Sequence, residues 1–321
     1  MHAVLEELEK TGIVPVIKID DAEKAAPLAR ALIAGGLPVM EVTFRTPQAE
    51  EAIRRISGEE PEMLLGAGTV LSIEQAERAL AAGAKFIVSP GFNPKLVSHC
   101  VEKGVPVIPG CSNPSGIEQA LELGLEAVKF FPAEQAGGLD YIKAVAAPYG
   151  QVKFMPTGGI SAANIAKYIS YEKVLACGGS WMAGAELINA GEFGKITALC
   201  REAVQTMLGF SPAHIGINCP NPEEAAGAAK LFGALFGFPL RDGNSSIFAG
   251  EGIELMKAPG LGKNGHLAVA ANSLYRAAAH LERRGFRFKP ESVKKDAGGK
   301  ITAIYLQDEI AGFAVHLLQK K

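Results

Sequence analysis

Lys129 stands inside an apolar run, Ala127-Val128-Lys129-Phe130-Phe131-Pro132. Burial in such a run strips an ammonium of hydration and favours the neutral amine. A neutral amine attacks a ketone and forms a Schiff base. The iminium then accepts the electron pair released when a nearby carbon–carbon bond breaks. Glu41 and Arg45 share the run "EVTFRT". The carboxylate suits proton transfer, and the guanidinium suits a two-pronged grip on a substrate carboxylate. Thr69 closes the run "GAGT". Gly158 and Gly159 lie in "PTGGI", and Ser180 follows two glycines in "GGSW". Exposed backbone N–H groups at such glycines suit a phosphate monoester.

Each residue also has a plainer reading. A lysine in a strand often serves an ion pair. Lys153, in "VKFMPTGG", sits in almost the same frame as Lys129, and Lys18 ends an earlier apolar run. Position alone does not choose among the three. Glu41 and Arg45 are equally suited to pairing with each other, and the glycine pairs to forming tight turns. Before residue 211 the histidines are His2 and His99, neither at the end of a β-rich run. That disfavours a metal-dependent aldolase or epimerase, which needs a cluster of His and carboxylate ligands.

The elements that carry these residues alternate. Strand-like runs are expected at Val14–Lys18, Val39–Phe44, Leu64–Val70, Phe86–Pro90, Val105–Pro109, Ala127–Phe131, Val152–Pro156 and Val174–Ala176. Ala-rich helical stretches lie between them, among them Asp21–Ala34, Pro47–Ile56, Ile73–Ala82 and Ser115–Leu123. Gly35, Gly83, Gly104 and Gly124 follow helices, as glycines in the left-handed conformation do. Eight strand–helix units in about 200 residues predict a (β/α)8 TIM barrel, whose function gathers at the C-terminal strand ends. An open doubly wound sheet is the alternative, disfavoured because no Gly-x-Gly-x-x-Gly follows the first strand.

The chain has 321 residues, with 48% hydrophobic and 21% charged, so it is an ordinary globular chain. No apolar run reaches the ~20 residues of a membrane span. The N-terminus carries Glu6, Glu7 and Glu9 and does not read as a secretory leader. Five scattered cysteines without a Cys-x-x-Cys predict reduced thiols and a cytoplasmic setting. A net charge of −2 gives no reason to expect nucleic acid. The charge is uneven: residues 1–210 hold 18 basic against 24 acidic side chains, and residues 211–321 hold 14 against 10. The change falls at Gly209-Phe210-Ser211-Pro212 and predicts domains at 1–210 and 211–321.

Beyond that junction the rhythm differs. A strand at His214–Cys219 leads to Asn221-Pro222-Glu223-Glu224, a helix start with its cap and a first-turn proline. Short strands are expected near 238–257. A strand at His266–Ala270, a helix from Ser273 to about Arg284, and strands near 286–293, 301–307 and 312–318 repeat the pattern. This is a doubled β-α-β-β-β unit, a smaller α+β domain.

Six motifs, "EVTFRT", "GAGTV", "VSPG", "KFFPAE", "PTGGI" and "GGSW", occur in order over residues 5–207. Together they resemble the 2-keto-3-deoxy-6-phosphogluconate / 2-keto-4-hydroxyglutarate aldolases, Schiff-base enzymes of the (β/α)8 class. The resemblance implies Lys129 as the Schiff-base lysine and Glu41 as the general acid/base. It implies Arg45 and Thr69 at the keto-acid carboxylate, Pro90 and Phe131 lining the pocket, and Gly158, Gly159 and Ser180 at the phosphate. It also implies a small 2-keto acid substrate, no metal or organic cofactor, and a homotrimer. The C-terminal repeat resembles the glyoxalase-like (vicinal oxygen chelate) fold. That likeness implies metal ligands at His214, Glu254, His266 and His316, for a divalent transition metal. The last position is more often Glu in that fold. The alternatives for this domain are an accessory binding or assembly module and a second, metal-dependent enzyme.

Overall fold

The computed structural model describes residues 1–320, in two compact units that part between Met207 and Leu208. No helix among the described residues is long and apolar enough to cross a membrane.

The first unit carries eight short strands: β1 (Ile13–Ile17), β2 (Val39–Thr43), β3 (Leu64–Gly68), β4 (Phe86–Val88), β5 (Val107–Ile108), β6 (Ala127–Phe130), β7 (Lys153–Pro156) and β8 (Cys177–Gly179). All pair in parallel. One sheet runs β5-β4-β3-β2-β1-β8, and β6 pairs with β7. Single parallel bridges, Gly110 to Lys129 and Thr157 to Gly178, join the two pieces at both edges. Helices follow the strands, as parallel strands require a crossover.

The helix Ala3–Thr11 packs Leu5 and Leu8 against Val14, Val39, Phe86, Val88, Ile108, Ala127 and Met155. These strand residues form an apolar layer under the N-terminal ends. Strand alternation then fixes what faces the same interior one layer higher. Val39 implies Glu41 and Thr43, Ala127 implies Lys129, and Leu64 implies Gly66 and Gly68. The glycines of β3 make room for their neighbours. A Cβ at Gly66 would lie 2.2 Å from the Phe86 ring, and one at Gly68 would lie 1.9 Å from Glu41 Oε1.

Three details differ from expectation. The eighth strand lies at Cys177–Gly179, whereas Val174 only bridges to Phe154. Close packing selects the glycines there: a Cβ at Gly178 would meet Thr157 Oγ1 at 2.3 Å, and one at Gly179 the Trp181 ring at 2.0 Å. Strand propensity misses this because glycine has none. Gly35 stays right-handed at φ −81°, and Gly36 takes the left-handed turn at φ 91°. Gly35 instead permits contact with another helix, since its Cβ would lie 2.3 Å from Cys200 Cβ. Residues 286–293 hold a short 3-10 turn at Pro290–Ser292, because proline removes a ladder donor; the strand falls at Lys294–Lys295.

The second unit is one mixed sheet of β9 (Ser211–Asn218), β10 (Leu240–Asp242), β11 (Ser246–Ala249), β12 (Ile253–Met256), β13 (Gly265–Ala271), β14 (Lys294–Lys295), β15 (Ile301–Tyr305) and β16 (Ala314–Gln319). Its order is β10-β11-β12-β9-β13-β16-β15-β14. The two halves mirror each other about the antiparallel β9–β13 contact, and in each the first strand runs parallel to the last. The helices Pro222–Phe236 and Leu274–Arg283 start at Asn221 and Ser273, whose side chains accept from Glu224 N and Arg276 N.

Candidate active site and metal centre

Because β1 to β8 are parallel, the residues just past their ends gather at one end of the sheet. Arg45 lies two residues past β2, Thr69 one past β3, Pro90 two past β4, Phe131 one past β6, and Ser180 one past β8. Gly158 and Gly159 follow β7. Glu41 and Lys129 lie just inside. They are the two buried charged side chains of this unit among the described residues, Glu41 fully so. Lys129 Nζ donates to Glu41 Oε1 at 3.3 Å, and Glu41 Oε2 has no hydrogen-bond partner. A buried pair with an unspent acceptor is costly to keep, which makes it a candidate functional site. Lys129 Nζ also stands 5.6 Å from the centre of the Phe131 ring, itself 40% exposed.

The register separates the three lysines. Lys129 pairs with Met155, and Lys153 lies one layer lower beside Ala127. There Lys153 is ion-paired to Glu9 of the first helix. Lys18 lies outside the strand and pairs with Asp20 at 2.7 Å. Glu41 is paired with Lys129, and no ion pair joins it to Arg45 among the described residues. Arg45 is exposed, and its Nε donates to Thr43 Oγ1 at 3.1 Å. Thr43 Oγ1 in turn donates to Ile17 O at 2.8 Å, which anchors the base of Arg45. Thr69 has φ 55°, a left-handed backbone that a β-branched residue rarely holds.

Gly158 and Gly159 both have left-handed φ, at 97° and 77°. Three side chains brace their loop: Asn164 and Tyr168, which lie in no motif, and Glu134, which ends "KFFPAE". Asn164 Nδ2 donates to Gly159 O at 2.9 Å while its Oδ1 accepts from Ser161 N at 2.9 Å. Glu134 lies beneath Gly159, where a Cβ would meet Glu134 Cβ at 2.7 Å. The fully buried Tyr168 donates its hydroxyl to Glu134. That hydrogen bond lowers the Glu134 pKa against the effect of burial, helped by Lys167. Burial raises the Tyr168 hydroxyl, with Glu134 adding to it. Burial also pushes the Cys111 thiol up to about 12, which withholds a thiolate nucleophile near this end. Ser180 is exposed.

In the second unit, strand register brings the four candidate ligands to one face. Glu254 stands opposite Gly216, His266 opposite Gly216, and His316 opposite Ala268. His214 stands opposite Ala268. One ring nitrogen from each of His214, His266 and His316 falls in a group whose atoms all lie within 4.8 Å of one another. Glu254 Oε2 lies 3.2 Å from His214 Nε2 and 3.1 Å from His266 Nε2. Gly216 leaves the space for His266: a Cβ there would lie 2.0 Å from the ring. Ser246 Oγ donates to the other Glu254 oxygen at 2.5 Å, which orients the carboxylate. Burial works against charge on Glu254, but the bonds from His214, His266 and Ser246 outweigh it and lower its pKa.

His316 is 5% exposed, and neither ring nitrogen makes a hydrogen bond of ordinary geometry. Burial pushes its pKa down to about 4, with His266 and His214 adding to the effect and the Leu317 backbone only partly opposing it. A neutral, orphaned imidazole beside two others and a carboxylate is the donor set a borderline divalent metal takes. Tyr305 stacks on His316 at 4.6 Å between centroids, and Phe248 packs edge-on to His214 at 5.5 Å. Ser246, Phe248 and Tyr305 escape a search for ligand types, though strand alternation puts them on the ligand face.

A parallel α/β fold with a buried Lys–Glu pair beneath its C-terminal strand ends is an arrangement that suits the Schiff-base class of enzyme. The chain belongs to the KDPG and KHG aldolase family, whose profile matches residues 4–199. It is an aldolase, a carbon–carbon lyase. It is 54% identical over 205 residues to the 2-dehydro-3-deoxy-phosphogluconate aldolase of Treponema pallidum, covering 64% of this chain and 98% of that one. It is 46% identical over 201 residues to the KHG/KDPG aldolase of Escherichia coli K12, covering 62% and 94%. Among solved structures, the Legionella pneumophila KDPG aldolase, with pyruvate captured as a covalent carbinolamine, has a TM-score of 0.60 at 40% identity, covering 62% of this chain and 97% of that one. The Zymomonas mobilis enzyme with 3-phosphoglycerate has a TM-score of 0.58 at 42% identity, covering 62% and 94%.

Proposed function

We propose that the first unit is a closed (β/α)8 barrel that cleaves 2-keto-3-deoxy-6-phosphogluconate to pyruvate and glyceraldehyde 3-phosphate, and/or 4-hydroxy-2-oxoglutarate to pyruvate and glyoxylate. The observation that carries this reading is the Lys129–Glu41 pair at 3.3 Å, buried beneath the strand ends. Lys129 Nζ attacks C2 of the keto acid, and the carbinolamine loses water to leave the iminium. Glu41 takes the C4 hydroxyl proton as the C3–C4 bond breaks, the electron pair moving into the iminium to give an enamine. Glu41 returns the proton to C3, and water releases pyruvate. Arg45 and Thr69 hold the substrate carboxylate, Pro90 and Phe131 wall the pocket, and Gly158, Gly159 and Ser180 hold the phosphate. The reaction uses no metal or organic cofactor. The enzyme works as a homotrimer in the cytoplasm, a setting consistent with five free cysteines. Pyruvate release assayed on both substrates tests it; activity on neither refutes it.

The second reading concerns the C-terminal domain, with its boundary at about residue 210. Its paired β-α-β-β-β halves and the orphaned His316 nitrogens favour a glyoxalase-like metal domain over a plain packing module. His214, Glu254, His266 and His316 would hold one divalent transition metal, which supplies Lewis acidity when bound. Ser246 orients Glu254, and Tyr305 fixes the His316 ring. Metal analysis of protein loaded with Zn²⁺, Ni²⁺, Fe²⁺ or Mn²⁺ tests it, with His266→Ala as control. Well under one ion per chain refutes it. Chelator should leave the aldolase rate unchanged.

A further inference from the structure

The face that carries the histidine cluster also carries two cations that the aldolase reaction does not use. Arg241 on β10 stands opposite Phe248 on β11, which stands opposite Glu254 on β12. Cross-strand partners point the same way, so Arg241 shares the ligand face. Its guanidinium lies 4.8 Å from the centre of the Phe248 ring, and that ring packs against His214. Lys294 on β14 stands opposite Ala303, two residues before Tyr305, the partner of His316. It shares the same face. β10 and β14 are matching edge strands of the two halves. Neither cation has an ion-pair partner among the described residues, and the neighbouring Asp242 is held by Lys257 at 2.7 Å. Three neutral imidazoles and one carboxylate leave a divalent centre positive, and Arg241 and Lys294 add to that field.

We propose that this site takes a small acid with two anionic ends, one end bound at the cluster and the far end read by Arg241. Lys294 strengthens the field from the opposite edge. The inference rests on the metal-binding reading of His214, Glu254, His266 and His316. Phe248 holds the guanidinium at a fixed reach from the cluster, and a planar fork suits a carboxylate or a phosphate.

The test uses the full chain loaded with Co²⁺, whose visible absorption reports ligands at the metal and nothing at Lys129. The probes are 2-hydroxyglutarate and 2-hydroxypentanoate. They share a chelating head and a chain length, differ in the terminal carboxylate, and lack a ketone for Lys129. The diacid should bind about tenfold more tightly. Arg241→Gln should remove that preference and leave 2-hydroxypentanoate binding unchanged, and Lys294→Gln should reduce it by a smaller factor. 3-Phosphoglycerate separates the two acidic groups: tighter binding than the diacid assigns a phosphate, weaker binding a carboxylate. Cobalt bands with no preference, or a preference that survives Arg241→Gln, overturn this inference alone. Absence of cobalt bands overturns the metal reading and this inference with it.

Discussion

Replacing Gly68 by alanine separates Schiff-base formation from proton transfer. Gly68 is not among the positive-φ glycines, so alanine adopts its backbone without strain. The side chain is the difficulty. A Cβ there would lie 1.9 Å from Glu41 Oε1 and 2.5 Å from its Cγ and Cδ. Ordinary contacts need about 3.4 Å, so the carboxylate must move by more than an ångström. Glu41 is fully buried, and its one hydrogen-bond partner is Lys129 at 3.3 Å. The displacement therefore breaks the alignment of that pair. Misplacing a positioned group by an ångström costs about 10²-fold, and losing an acid/base outright costs ~10²–10⁴-fold. Overpacking costs about 1–3 kcal/mol of stability, which a chain of this size tolerates. Two measurements on the same protein decide it. Borohydride in the presence of pyruvate should still trap an adduct on Lys129. Deuterium exchange into the pyruvate methyl group should fall by about 10²-fold or more. Exchange at the wild-type rate would refute the assignment of Glu41 as proton carrier.

Lys129→Ala should abolish both the borohydride adduct and turnover while the protein still folds; an adduct mapped to Lys153 or Lys18 overturns the assignment. Gly159→Ala forces a side chain onto φ 77° and into Glu134 Cβ. With Ser180→Ala, it should raise KM for the phosphorylated substrate more than for 4-hydroxy-2-oxoglutarate, and equal losses would mean these residues only shape the strand ends. Tyr168→Phe removes a hydrogen bond to a carboxylate and should lower stability by about 1.5–3 kcal/mol in urea unfolding. Gly216→Ala should reduce Zn²⁺ content as strongly as His266→Ala, because the His266 ring occupies the space its Cβ needs; undiminished content refutes that packing argument.

The alternation of strands and helices was legible because parallel strands buried on both faces read as apolar runs. Ile73–Ala82 matches the expected helix, with Ser72 and Gly83 at its ends. The eighth strand was expected three residues early, at Val174–Ala176, because glycines offer no side-chain pattern to mark it. Cys177-Gly178-Gly179 pairs with β1 through its backbone, and what selects the glycines is contact with Thr157, just past β7, and with the Trp181 ring, neither of which is part of a strand pattern. The choice among Lys129, Lys153 and Lys18 was closed to sequence for a similar reason. Two lysines of one parity in adjacent strands differ only in layer, and the layer depends on the β6–β7 register. Glu9, which engages Lys153, comes from a helix more than a hundred residues away. The loop brace of Asn164, Glu134 and Tyr168 has no periodicity to betray it, since each member enters from a different turn of chain.

In the second unit, the repeat did most of the work. Once two β-α-β-β-β halves are granted, the first and last strands of each half lie side by side, and His214, Glu254, His266 and His316 are equivalent positions on them. What the repeat leaves open is whether they share a face, since a one-residue slip turns every side chain over. The observed register resolves it: Glu254 and His266 both stand opposite Gly216, and His214 and His316 both stand opposite Ala268, so the four side chains leave one face, with the His266 ring in the space a Cβ at Gly216 would need. Substituting that glycine, more than any single ligand, asks whether the four residues were arranged around a common point or merely packed along a sheet. A packing module would lose little from a methyl group that its neighbours could relax around, whereas a centre built on three imidazoles has no such freedom, because each ring is held by another.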